Sequence, residues 1–362
     1  MLVSLPAVTS LSSFLFLANT WAAPTVSDVS NPPARVIWEP AGDTWLECIT
    51  QRSNGDLLIT RYDNGEIWTF RSTTNQVSLV YQFPPDANVN SSLGIAEYED
   101  DIFAFSGGQI AAADQSPIGG SWSVWSLDLR NWTPPADNTI PEANMLNGMA
   151  VLRPATTKGP RANGKDASPL LLLADSNRGI IYHVSPTAVD KSAGVFYSNP
   201  DILTAPPDAA FPTGLNGLQV PPVRDPAYIY FTGGFRGTFY RLALAQASVE
   251  GTEPELLAGG FGNLDDFSLE ADGTAYLSTG GADEIVRVSP QGKQTVVFSG
   301  DLVSSSTAML VVEKRGARSL YVLTGRAAGD TTGQPGRLVE ITLPADSLAS
   351  DKVREAHWST QS

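Results

Sequence analysis

The chain has 362 residues, of which 42% are hydrophobic, with 32 Gly and 26 Pro, a balance that suits a large buried core cut by many tight turns and argues against disorder. Its 38 Asp and Glu outnumber 23 Lys and Arg, so a formal charge of -15 repels a phosphate backbone and sets nucleic-acid binding aside. A single Cys and two His rule out an intramolecular disulfide and argue against both a zinc cluster and a Ser-His-Asp triad.

In chain order, residues 1–22 form an apolar stretch ending in small residues at Thr20 and Ala22, which reads as a signal peptide. The expected location is therefore the secretory pathway, with the protein secreted or vesicular. No other segment is apolar enough to span a bilayer. Two glycosylation sequons, Asn90-Ser91-Ser92 and Asn131-Trp132-Thr133, agree with that route, although Pro134 makes the second a poorer acceptor.

From residue 34 to 345 one pattern recurs six times. Each copy opens on a short strand: Leu46-Glu47, Ser92-Leu93, Leu146-Asn147, Leu215-Asn216, Leu264-Asp265 and Ser306-Thr307 hold equivalent places. A turn and a more apolar strand follow, as in DLLITRY, LLLLADS and YIYFTGG, and then a third strand of alternating character such as EIWTF or EIVRVS. A fourth is clear in only some copies. The period of roughly 50 residues is that of a propeller blade. The fold class is all-β, a six-bladed β-propeller, and the spare strand Arg35-Val36-Ile37-Trp38 is expected to close the ring. Pro/Gly/Ala-rich stretches at 155–169 and 200–214 read as loops, and 346–362 as a polar C-terminal tail.

In such a blade the start of the first strand and the end of the second face one mouth of the channel. The second residues of the six repeats converge there: Glu47, Leu93, Asn147, Asn216, Asp265 and Thr307. Two carboxylates and two amides make an oxygen set suited to a hard cation, and in its absence a carboxylate pair whose members raise each other's pKa. Each residue alone could instead cap a strand or a turn. Trp45, Tyr62, Trp122 and Phe235 are candidates to wall an apolar pocket at this mouth, each with blade packing as the competing role, and Asp175 lies in the loop after the third blade's second strand. His183 sits inside a strand and reads as structural.

These positions resemble the regucalcin and gluconolactonase family of six-bladed propellers from about Ala34 to Leu343. In that family a Glu of the first blade, an Asn of the fourth and an Asp of the fifth hold one divalent cation, with a third-blade Asn near the substrate. The resemblance implies Glu47, Asn216 and Asp265 as metal ligands and Glu47, Asn147 and Asp265 as catalytic residues. The lactonases carry an Arg two residues before the third-blade Asn, where this chain has Met145. The blocks TWLECITQRSNGDLLIT, IPEANMLNGMAVL and GFGNLDDFSLEADGTAYLS are similar to a fungal branch of these propellers that includes hetero-Diels-Alderases joining a tropolone quinone methide to a terpene alkene. The implied function is an enzyme of secondary metabolism acting on small-molecule substrates, with cycloaddition placed ahead of metal-dependent lactone hydrolysis and of ligand binding without catalysis. One Ca²⁺ is the cofactor to be tested; no organic cofactor and no membrane-spanning segment are expected, and the oligomeric state is left open.

Overall fold

The computed structural model describes residues 31–131, 133–153, 168–186, 193–209, 213–248, 251–314, 316–326 and 334–344. The expected signal peptide, the C-terminal tail and most of the loop at 155–169 lie outside the described residues.

Strand β1 runs Ala34–Trp38. The first blade then takes β2 (Leu46–Gln51), β3 (Leu57–Arg61), β4 (Glu66–Arg71) and β5 (Gln76–Gln82). The second takes β6 (Ser91–Glu99), β7 (Ile102–Gly108), β8 (Ser123–Asp128) and β9 (Thr133–Thr139). The third is β10 (Leu146–Leu152), β11 (Leu170–Asp175), β12 (Ile180–Val184) and β13 (Gly194–Ser198). The fourth is β14 (Leu215–Gln219), β15 (Tyr228–Gly233), β16 (Thr238–Ala243) and β17 (Glu255–Gly259). The fifth is β18 (Phe267–Leu269), β19 (Ala275–Thr279), β20 (Glu284–Val288) and β21 (Gln294–Ser299). The sixth is β22 (Ser306–Lys314), β23 (Ala317–Thr324) and β24 (Leu338–Leu343).

All six sheets are four-stranded, and the sixth is completed by β1 pairing antiparallel with β24, Val36 opposite Val339. The fold is the six-bladed propeller expected from the repeats, closed by its N-terminal strand. Outer strands that the pattern left obscure are present in every blade. That of the second, β9, carries Pro134 and Pro135 where its pairing with β8 shifts register between Thr133 and Ala136, an irregularity of an edge strand that leaves ladder hydrogen bonds unneeded there. The fifth blade differs from expectation in one respect: β18 begins only at Phe267, so Asp265 precedes the strand, held by its N–H donating to Ser278 O at 3.1 Å.

Alternation along each strand sends successive side chains to opposite faces, so every blade packs on both neighbours. Leu57 and Ile59 lie against Ala308 and Leu323 of the sixth blade, whereas Leu58 lies with Ile95 and Phe103 of the second. Hydroxyls stitch the same seams. Thr60 Oγ1 donates to Leu93 O at 2.7 Å, Ser106 Oγ to Leu146 O at 2.8 Å and Thr232 Oγ1 to Asp265 O at 2.9 Å. Thr307 Oγ1 joins the sixth blade back to the first at Leu46 O, 2.7 Å away.

Candidate active site at the channel mouth

A register shift interrupts the pairing of the innermost strand at the same place in five blades, between Leu46 and Ile49, Ser92 and Ile95, Leu146 and Met149, Leu215 and Leu218, and Ser306 and Met309. A bulge frees two residues from the ladder and re-aims their side chains. In the first, third and fourth blades the freed residues include Glu47, Asn147 and Asn216, and all three line one cavity together with Asp265.

The positions following them are small because the inner strands nearly touch. A Cβ on Gly94 would lie 2.2 Å from Asn147 O, and one on Gly148 would lie 2.4 Å from Asn216 O. The fifth blade has Asp266 there instead. It is buried, with its carboxylate 3.8 Å from Cys48 Sγ and within reach of Gln219.

The cavity has a volume of about 120 Å³ and is walled by Trp45, Tyr62, Met145 and Phe235, with Thr213 and Asn263 completing its lining. Trp45 packs on Tyr62 in a tilted arrangement, with ring centroids 5.0 Å apart and planes at 53°. Of the residues expected from sequence, Glu47, Asn147, Asn216, Asp265, Trp45, Tyr62 and Phe235 are brought together here.

Trp122 and Asp175 are not. Trp122 is wholly buried in the core between the second and third blades, its ring lying where a Cβ on Gly108 would be. Asp175 is also wholly buried, its carboxylate accepting from the backbone N–H groups of Asn144, Asn177 and Arg178. It holds a turn rather than facing the channel. His183 packs on Gly194 in β12, away from the cavity lining.

Burial dominates the electrostatics. It pushes the Glu47 carboxyl well above the ordinary range, helped by the charge of Asp265; the Trp45 indole, beside it but outside hydrogen-bonding geometry, opposes the shift. Asp265 keeps some surface toward the cavity, yet burial and the neighbouring Asp266 push it up to about 8 against a hydrogen bond from Asn216. Burial raises Asp266 to about 6.

Glu47 Oε2 and Asn216 Oδ1 are buried without a hydrogen-bond partner. With Asp265, which lines the same cavity, they supply two carboxylates and one amide, donor types that a divalent cation takes, although among the described residues no three His, Cys, Asp or Glu side chains cluster as a metal site.

Asn263, Met145 and Thr213 were not among the predicted site residues. Met145 and Asn263 directly precede Leu146-Asn147 and Leu264-Asp265, in register with Trp45 before Leu46-Glu47, but their unlike side chains share no chemical signal, and Thr213 lies one residue further upstream of its pair. The singular Met145 was visible only as a departure from the lactonase pattern.

No family model matches the chain. It is 30% identical over 150 residues to a protein of Phoma sp. named provisionally as a hetero-Diels-Alderase, covering 38% of this chain and 42% of that one. A protein of Sarocladium schorii with the same provisional name is 27% identical over 129 residues, covering 33% of this chain and 32% of the other. The chain thus matches less than half the length of either relative. Among solved structures, the calcium-binding protein regucalcin of Agrobacterium tumefaciens superposes with a TM-score of 0.56 at 14% identity, covering 86% of this chain and 93% of that one. A luciferin-regenerating enzyme does so with a TM-score of 0.56 at 10% identity, over 86% and 95% of the two chains. The chain is a six-bladed propeller of the regucalcin fold, similar over part of its sequence to fungal proteins named as hetero-Diels-Alderases.

Proposed function

We propose that the chain is a small-molecule enzyme of fungal secondary metabolism that catalyses a hetero-Diels–Alder cycloaddition between a tropolone quinone methide and a terpene alkene. One observation carries this reading: the aromatic and thioether walls of Trp45, Tyr62, Phe235 and Met145 converge on a cavity floored by polar side chains. The partial similarity to named hetero-Diels-Alderases supports it.

Cycloaddition makes one C–C and one C–O bond from the heterodiene and the alkene, and it loses no group, proton or electron. It needs no nucleophile, only two partners held in a near-attack pose, which contributes through effective molarity. The cavity is smaller than the roughly 300–1,000 Å³ of a drug-sized site, so it would take the oxygenated end of one reactant while the apolar remainder lies in the mouth. Asn147, or a protonated Glu47 or Asp265, would donate a hydrogen bond to the heterodiene oxygen as charge develops on it. The aromatic walls would exclude the water that otherwise adds to a quinone methide. Glu47, Asn216 and Asp265 would hold a divalent cation, which when bound supplies Lewis acidity toward a ligand oxygen.

Lactone hydrolysis is the second reading, favoured by the convergence of Glu47, Asn216 and Asp265 on one cavity. Incubating the purified protein with the quinone methide precursor and the alkene separates the two. Faster coupling with one product stereoisomer supports cycloaddition; opening of simple lactones without such coupling supports the hydrolase.

A further inference from the structure

Three buried oxygens without a partner border the cavity: Glu47 Oε2, Asn216 Oδ1 and Asn263 Oδ1. The first two belong to the oxygen set that suits a cation. Asn263 stands outside it, in the connection between β17 and β18. The connection is tied down on both sides of it, because Phe261 N–H donates to Gly237 O at 3.3 Å, Leu264 N–H to Gly234 O at 3.1 Å and Asp265 N–H to Ser278 O at 3.1 Å. The Asn263 amide nitrogen leans on the next loop, where a Cβ on Gly280 would sit 3.2 Å away. Asn263 lines the cavity, and its buried amide oxygen has no protein donor.

We infer that Asn263 is a specificity-determining residue of this site, its amide oxygen accepting a hydrogen bond from a hydroxyl on the oxygenated end of the ligand. The inference rests on the reading of the cavity as the site for the oxygenated end of a tropolone reactant. A buried acceptor left unpaired is costly, and a ligand hydroxyl removes that cost while an ether at the same atom does not. Sites that pair a ligand hydroxyl discriminate against analogues lacking it far more strongly than apolar walls discriminate by size.

The test is calorimetric titration, in chelator, of tropolone and its O-methyl ether into the wild-type chain, Asn263→Ala and Asn263→Asp, with melting curves confirming that each variant folds. Wild type should bind tropolone about 10-fold more tightly than the ether. Asn263→Ala should abolish the preference while leaving ether affinity within about 2-fold, and Asn263→Asp, which keeps an acceptor oxygen, should retain it. Equal weakening of both ligands by Asn263→Ala, or an unchanged preference, overturns the role given to Asn263. So does loss of a Ca²⁺-induced melting shift in Asn263→Ala, which would make the residue a cation ligand. Wild type binding both probes equally removes the role but leaves the cycloaddition reading standing; binding neither removes both.

Discussion

The Tyr62 hydroxyl donates to the carbonyl oxygen of Gln115 at 2.5 Å. Tyr62 is thus both a wall of the cavity and the tie that holds the loop at 109–118, which also pairs on itself through Ile110 and Pro117. Tyr62→Phe keeps the wall and cuts the tie. It should destabilise the protein by about 1 kcal/mol in denaturant titrations and speed hydrogen exchange at the Ala111 and Gln115 amides. Unchanged exchange there would mean that the loop is held by its own contacts.

Closure of the ring predicts a larger effect. Deleting residues 34–38 leaves β24 as an open edge and uncovers Val339 and Ile341, both fully buried. The truncated chain should aggregate or melt far below the full-length protein, as judged by size-exclusion chromatography and thermal scans.

The ring, its closing strand and the polar floor of the cavity were legible because six copies of one pattern align with one another. Glu47, Asn147, Asn216 and Asp265 stand out only by occupying equivalent places. Loops carry no such internal reference. Trp122 follows a second strand as Tyr62 and Phe235 do, and Asp175, expected in the loop after one, instead ends β11; the first turns into the core against Gly108 and the second caps three backbone amides. Sequence does not separate these fates, because a buried aromatic and a pocket aromatic share the same chemistry. The hydroxyl stitches from Thr60, Ser106 and Thr232 were equally hidden, since each acceptor is the backbone of the next blade.

The buried carboxyls predict an inverted dependence of stability on pH. Asp265 is raised to about 8 and Asp266 to about 6, so over pH 4–8 the folded chain binds more protons than the unfolded one. Their contribution is full below the unfolded carboxylate pKa and is lost as pH rises through the folded values. In chelator, wild type should lose stability from pH 5 to pH 8 more steeply than Asp265→Asn, and Ca²⁺ at pH 8 should restore part of the loss in wild type only. Chemical denaturation at the two pH values, with and without Ca²⁺, measures both effects.

Close approach of the inner strands predicts intolerance at Gly148. A methyl group there would meet Asn216 O at 2.4 Å and Leu218 N at 2.6 Å, both backbone atoms that cannot swing aside. Gly148→Ala should cost at least about 1–3 kcal/mol by overpacking and displace Asn216 within the cavity. Loss of the Ca²⁺-induced melting shift in this variant, with the fold retained by circular dichroism, would report that displacement.

The proposed function has the mouth hold an oxygenated heterodiene against an alkene rather than activate water. Its most direct measurement is a single reaction mixture containing the quinone methide precursor, the terpene alkene and a simple lactone, followed by chiral chromatography with wild type, Phe235→Ala and His183→Ala. The expected result is accelerated, stereoselective coupling by wild type, a loss of about 10-fold or more in Phe235→Ala through poorer positioning, near-wild-type rates in His183→Ala and an untouched lactone. Rapid lactone opening, with coupling no faster and no more selective than in buffer, would contradict it.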